Sequence, residues 1–193
     1  MTVSWTPPVL AGEMVTLRPI RADDATALWE GLNDPESRRM AGFTKEYTQE
    51  AVAQWAAEVA QVEGRFDWAT TTDGETILGR ISLKAVDLVA SRAEIRVLTL
   101  PGHRGRGYGR EAIMLVLRFA FGRPDEGGLG LHRVGLEVLS INPRAAALYQ
   151  SLGFVVEGRR REVIGDGDGE RFADAIEMGM LDDEYPAARD SWA

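Results

Sequence analysis

Residues 103–121 read His-Arg-Gly-Arg-Gly-Tyr-Gly-Arg-Glu-Ala-Ile-Met-Leu-Val-Leu-Arg-Phe-Ala-Phe. The first part is a glycine loop with arginines. The second places Ile113, Val116, Leu117 and Ala120 at helical spacing, so Glu111 to Phe121 is expected to be a helix with one apolar face. Upstream, Ile95 to Leu100 has the character of a strand, which Pro101-Gly102 stops. A glycine loop between a strand and a helix suggests a phosphate cradle. Glycine lets backbone N–H groups approach an anion with no Cβ in the way. The helix start adds unpaired donors and partial positive charge, and Arg104, Arg106 and Arg110 add fixed charge.

Two common phosphate binders do not fit. A P-loop needs a lysine after its last glycine, and no lysine lies nearby. A dinucleotide fingerprint needs a third glycine where Arg110 stands, and belongs on the first strand–helix unit of its fold. An ordinary glycine-rich turn before a helix remains open on this loop alone.

A second stretch narrows the choice. Leu131 to Phe154 reads Leu-His-Arg-Val-Gly-Leu-Glu-Val-Leu-Ser-Ile-Asn-Pro-Arg-Ala-Ala-Ala-Leu-Tyr-Gln-Ser-Leu-Gly-Phe. His132 to Leu139 reads as a strand. Asn142-Pro143 opens a helix running to Leu152, with proline at its favoured first position. Taken together, Arg104-x-x-Gly107-x-Gly109, then Asn142, Ala145 to Leu148, Tyr149 and Leu152-Gly153-Phe154, resemble the GNAT superfamily of N-acetyltransferases, particularly its Rim-type ribosomal-protein branch and polyamine- and drug-acetylating relatives. The clear resemblance covers roughly 94–161.

That resemblance implies an α/β fold: a mixed, mostly antiparallel sheet flanked by helices and splayed at an acetyl-CoA site. It places the pyrophosphate of acetyl-CoA, the co-substrate, on the amides of Gly105, Arg106, Gly107, Tyr108, Gly109 and Arg110, beside Arg104. It lays the pantetheine arm along Val97, Leu98 and Thr99, where a bulge splays the sheet, with Asn142 bonding the arm. A backbone N–H at the splay would polarise the thioester carbonyl. The reaction implied is direct attack of a neutral primary amine on the thioester. Such an amine has a pKa near ~10.4 and needs a base at neutral pH. Glu137 and Glu94 resemble base positions of different family members, and both stay open beside the plain alternative of strand glutamates paired to arginine. Tyr149 resembles the tyrosine that protonates the departing thiolate; the plain alternative is a packed aromatic. Asn142 has the alternative, and compatible, role of helix cap.

The rest of the chain is read from its patterns. Met14 to Ile20 alternates as a strand. Asp23 and Asp24 are expected to cap a helix carrying Ala27, Leu28 and Leu32, which Asn33-Asp34-Pro35 ends. Thr48 caps a second, with Val52, Trp55, Ala56 and Val59 as a core stripe. Phe66 to Thr72 and Thr76 to Val86 form a hairpin turning at Asp73-Gly74, with Phe66 and Trp68 on one face. Phe154 to Val163 and Arg171 to Leu181 form another, turning at 165–169. The expected order is β-α-α-β-β-β-α-β-α-β-β: an N-terminal arm at 1–10, one acetyltransferase domain at 11–182 and an acidic tail at 183–193.

Composition bounds the partners. A chain of 193 residues suffices for one sizeable core. A net charge of −8 argues against a broad nucleic-acid surface. No apolar run is long enough to span a membrane, and no signal peptide is evident, so a cytoplasmic protein is expected. Cysteine is absent, which removes thiolate ligands and cysteine nucleophiles. His103 and His132 are the only histidines and suggest no metal site. The acceptor is left open between a small-molecule amine and a protein N-terminus. Acidic residues of the last hairpin (Glu162, Asp166, Asp168, Glu170) would suit a cationic acceptor, although a solvated turn explains them more simply. Free strand edges permit a homodimer. A second reading of the whole chain is an acyl-CoA-binding sensor module of the same fold without catalysis.

Overall fold

The computed structural model describes residues 4–165 and 171–192. The acidic turn residues Asp166, Asp168 and Glu170 lie outside them.

Eight strands form one sheet in the order β1-β2-β3-β4-β5-β6-β8-β7. They are β1 (Leu10–Ala11), β2 (Thr16–Pro19), β3 (Phe66–Thr71), β4 (Ile77–Asp87), β5 (Arg92–Thr99), β6 (Arg133–Leu139), β7 (Val155–Gly165) and β8 (Phe172–Leu181). Every neighbouring pair is antiparallel except β5 and β6. The helices are α1 (Ala25–Asn33), α2 (Pro35–Ala41), α3 (Gln49–Glu58), α4 (Tyr108–Phe121), α5 (Pro143–Ser151) and α6 (Tyr185–Asp190). The observed architecture is the α/β arrangement expected, and no helix among the described residues is long and apolar enough to cross a membrane.

The sheet separates two cores. On one face α4 buries Ile113, Val116, Leu117 and Ala120 against Ile81, Leu83 and Ile95, with Phe66 and Trp68 stacked at 5.8 Å and packed edge-on to Phe119. On the other, α1 and α3 bury Leu28, Leu32, Val52, Ala56 and Val59 against Ile77, Leu98 and Leu100. The α3 stripe is therefore core, and Thr48 caps that helix through the Ala51 N–H at 3.2 Å.

Four local expectations change. Asp24 does not cap α1; its buried carboxylate takes a bidentate pair from Arg18 at 2.8 and 2.7 Å and the Arg21 N–H at 2.8 Å. A buried arginine fork outcompetes a solvent-exposed cap. Pro35 ends α1 but also opens α2, because proline suits a first helical turn, and Asp34 caps it through the Ser37 N–H at 2.8 Å. The N-terminal stretch packs down: Trp5 lies 5.4 Å from Phe66, and the Trp68 indole donates to the Pro8 carbonyl at 2.7 Å. The acidic tail likewise forms α6, which sets Tyr185 and Trp192 against the α4 side of the core.

Candidate active site

The splay expected at the cofactor site is present, and its cause is in the pairing. The strands β5 and β6 pair only at Arg92↔Arg133, Ala93↔Val134 and Glu94↔Gly135. Beyond Glu94, β5 stays in register with β4 to Thr99, while β6 stays in register with β8 to Leu139. The sheet divides into two halves that share three residue pairs, and the β6-facing edge of Ile95 to Thr99 is left without a strand partner. No bulge makes this opening: the irregularity in the β4–β5 register lies at the far end, between Lys84 and Asp87. That corrects the expected bulge at Val97–Thr99. Of these residues, Val97 packs on the α4 core, Leu98 on the α1–α3 core, and Thr99 is half-buried at the strand end.

The glycine loop leads from that strand end into α4. Gly105 and Gly107 have φ of 79° and 87°, the left-handed region where a side chain is strained. A Cβ on Gly105 would stand 2.5 Å from the Arg144 guanidinium. Among the described residues, none of the amides from Arg104 to Arg110 donates a hydrogen bond; the first to do so is Glu111, to the Gly107 carbonyl at 3.1 Å. A run of free amides turning around left-handed glycines at a helix start is an anion nest. These residues fit the pyrophosphate of acetyl-CoA.

The three loop arginines differ. Arg104 turns away from the nest: it donates to Asp34 at 2.9 Å, to Ser37 Oγ at 2.6 Å and to the Thr99 carbonyl at 3.3 Å, and it pairs with Glu36. Asp34 is held below the usual carboxylate range, first by the Ser37 N–H and then by Arg104. Arg104 thus fastens the α2 start to the end of β5. Arg110 donates to Ser151 Oγ at 2.9 Å, joining α4 to α5. Arg106 makes no ion pair or hydrogen bond among the described residues and stays exposed.

Two residues escaped the sequence reading. Arg144, in the first turn of α5, reaches the loop beside Gly105. A cation there opposes the helix dipole, and that unfavourable placement was the available signal. Glu111 takes the N–H groups of Glu13, Met14 and Val15 at 2.7, 2.9 and 2.7 Å. It pins the 12–15 turn beside the nest, with the Met14 methyl 3.1 Å from where a Gly107 Cβ would be.

Tyr149 sits on α5, edge-on to Phe154 at 6.0 Å. Burial pushes its phenol above the usual tyrosine range, and the nearby positive charge of Arg96 partly offsets this. Its hydroxyl makes no hydrogen bond among the described residues. Asn142 is the α5 cap: its Oδ1 accepts the Ala145 N–H at 3.2 Å, which leaves its amide N–H groups free to donate.

The two glutamates line a bowl of about 890 Å³ on the sheet face away from α4, together with Arg96, Arg160 and Glu177. Both are ion-paired. Glu94, where the strand halves still touch, pairs with Lys84 at 2.9 Å. Glu137, beyond the junction, pairs with Arg160 and lies 3.8 Å from Arg96. Glu162, in a β7 irregularity with φ of 53°, is exposed and donates its N–H to Asp174 at 2.8 Å. His132 pairs with Asp182 at 2.9 Å, and no group of His, Asp or Glu among the described residues could hold a metal.

Residues 14–155 match the model of the GNAT acetyltransferase domain. The SPbeta prophage-derived uncharacterized N-acetyltransferase YokL of Bacillus subtilis is 26% identical over 174 residues, 90% of this chain and 93% of the relative. The spermidine N(1)-acetyltransferase of Vibrio cholerae is 30% identical over 112 residues, 58% of this chain and 60% of that one. Among solved structures, the V. cholerae spermidine N-acetyltransferase in complex with CoA and spermine superposes with a TM-score of 0.79 at 22% identity, covering 91% of this chain and 99% of that chain. That likeness establishes the fold; the family model covers most of the sequence. The chain belongs to the GNAT acetyltransferase family and is an acetyl-CoA-dependent N-acetyltransferase.

Proposed function

We propose that this enzyme transfers acetyl to a primary amine by direct attack within a ternary complex, with Tyr149 as general acid. The observation that carries this is the position of a half-buried, unbonded phenol on the helix that packs beside the split sheet, one helix away from the free amides of the loop. Acetyl-CoA supplies the thioester carbonyl and the thiolate leaving group. The amides of Gly105 to Arg110, with Arg106 and Arg144, hold its pyrophosphate. The open edge of Val97 to Thr99 and the free N–H groups of Asn142 hold its arm.

Tyr149 is protonated at neutral pH, as an ordinary phenol near ~10 already is, and desolvation reinforces this, so a proton is available for the departing thiolate. Arg96 then stabilises the phenolate that remains. On the opposite face Glu137 is the base we favour, because it lies beyond the junction where the sheet opens. Taking a proton through water requires it to exchange Arg160, whose side chain is 54% exposed, and an exposed pair is worth at most about 1 kcal/mol. Glu94 is the second candidate. The acceptor is a small-molecule amine or a peptide N-terminus; spermidine, which the V. cholerae relative acetylates by name, belongs in any test panel.

The test is Tyr149→Phe, with thiol release followed across an amine panel and acetyl-CoA affinity measured by calorimetry. Turnover should fall by about 10² or more with affinity unchanged. Unchanged turnover removes Tyr149 from the chemistry, and acetyl-CoA binding with no thiol release from any amine would favour the sensor reading.

A further inference from the structure

On the sheet face beside the opening, several acids are taken by one set of bases while other arginines keep their donors unbonded. Asp67 is fully buried, and Arg65 bonds both of its oxygens, at 2.6 and 2.9 Å. Arg160 takes Glu137 and Glu177, and Lys84 takes Glu94. Besides the exposed Arg92, two arginines remain. Arg80 on β4 is 17% exposed, stands 4.8 Å over the Trp55 ring and comes no nearer to Asp67 than 3.9 Å; it makes no hydrogen bond among the described residues. Arg96 on β5 comes no nearer to Glu137 than 3.8 Å and also makes none.

These two share one face. The register pairs Arg80 with Leu98 and Ser82 with Arg96, so Arg80 and Arg96 are diagonal neighbours, about 7–8 Å apart. Ser82 between them is small and buried. Arg96 lines the same bowl as Glu94 and Glu137, which places it beside the two candidate bases. Arg80, mostly buried with its donors unbonded, gains most from an anion, and the Arg96 side chain, 39% exposed, adds a second guanidinium that solvent and ligand can reach. The pair would also disfavour a second ammonium on the acceptor, while an amine beside it is more readily neutral and nucleophilic. The net charge of −8 points the other way only at long range.

We propose that Arg80 and Arg96 form a carboxylate subsite, so the acceptor is an amine bearing a carboxylate near it: a free amino-acid-type amine or the N-terminus of a peptide with an acidic first residue. This rests on the transferase reading above and specifies its acceptor. Arg80 is then a specificity-determining residue and Trp55 is the platform that orients it.

The test compares matched acceptors: 4-aminobutyrate with 1,4-diaminobutane and spermidine, and a peptide beginning with Asp with its Asn counterpart. The first set probes free amines and the second probes peptides. At least one carboxylate member should exceed its partner by 10-fold or more in kcat/KM. Arg80→Met should remove that preference, lowering kcat/KM for the carboxylate member at least 10-fold while leaving the uncharged partner and acetyl-CoA affinity within about twofold. Arg80→Lys should restore part of it. Equal or better use of the diamine and the Asn peptide, or an equal loss on both members in Arg80→Met, overturns the proposal while acetyl transfer stands. If Arg80→Met does not fold, Arg80→Gln carries the same comparison. If no amine releases thiol, the transferase reading fails and titration of the CoA-saturated protein decides the subsite. Carboxylate binding lost in Arg80→Met supports it, and no such binding overturns it.

Discussion

Replacing Glu111 by alanine tests how the cradle is walled. Its carboxylate holds three amides, and they are not equivalent. The Glu13 and Met14 N–H groups lie in exposed surroundings, where water replaces the lost acceptor, so each is worth about 0.5 kcal/mol. The Val15 N–H belongs to a residue only 2% exposed, and leaving it unpaired costs about 1–3 kcal/mol. Glu111→Ala should therefore destabilise by about 2–4 kcal/mol. For a chain of this size that lowers Tm by about 8 °C. Glu111→Gln keeps one oxygen for Met14 and Val15 and turns its amide toward Glu13, so its cost should be near ~1 kcal/mol. Urea and thermal unfolding of both variants give the comparison, and hydrogen exchange should localise the early opening to amides 13–15. Because Met14 stands against Gly107, acetyl-CoA affinity should also weaken severalfold. A loss below about 0.5 kcal/mol for Glu111→Ala, or equal losses for the two variants, would refute the argument that charge-assisted bonds to buried backbone fix this wall.

The loop arginines should separate: Arg106→Glu should weaken acetyl-CoA binding by 10-fold or more with Tm nearly unchanged. Arg104→Glu should chiefly lower Tm, since it would face Asp34 and Glu36 with a like charge; calorimetry and melting curves on both read this out. Asp24→Asn leaves Arg18 buried with half its partner gone and should cost about 3–5 kcal/mol in urea unfolding. Tyr149 binds its proton more tightly folded than unfolded. Its contribution is complete below the unfolded value near ~10 and is lost as pH rises through that value toward the folded one. The difference between wild-type and Tyr149→Phe phenolate absorbance should therefore emerge only above about pH 10, and its emergence at lower pH would contradict a buried phenol.

Periodicity made most of the elements legible, because α3, α4 and the β3–β4 hairpin each bury one regular face. The elements it missed are short. Helix α2 has no apolar stripe of its own; its start is held by Asp34 and Arg104, a contact between residues 70 positions apart that no local pattern records. The site divides the same way. Glycines with obligatory left-handed φ and an asparagine cap announce themselves locally, so Gly105, Gly107 and Asn142 were visible. Charged residues do not, since their role depends on which opposite charge reaches them first. Arg104 read as a phosphate ligand and is a tether, whereas Arg144 went unnoticed beside Gly105. The same competition underlies the proposed acceptor face. Arg65 is two residues from Asp67 and takes both its oxygens, so Arg80, on the neighbouring strand, keeps its donors. Moving that one bidentate bond from Arg65 to Arg80 would neutralise one arginine of the proposed subsite. On the proposed subsite, acceptor choice follows from how ion pairs are allotted across β3, β4 and β5, a property of register that composition and net charge do not carry.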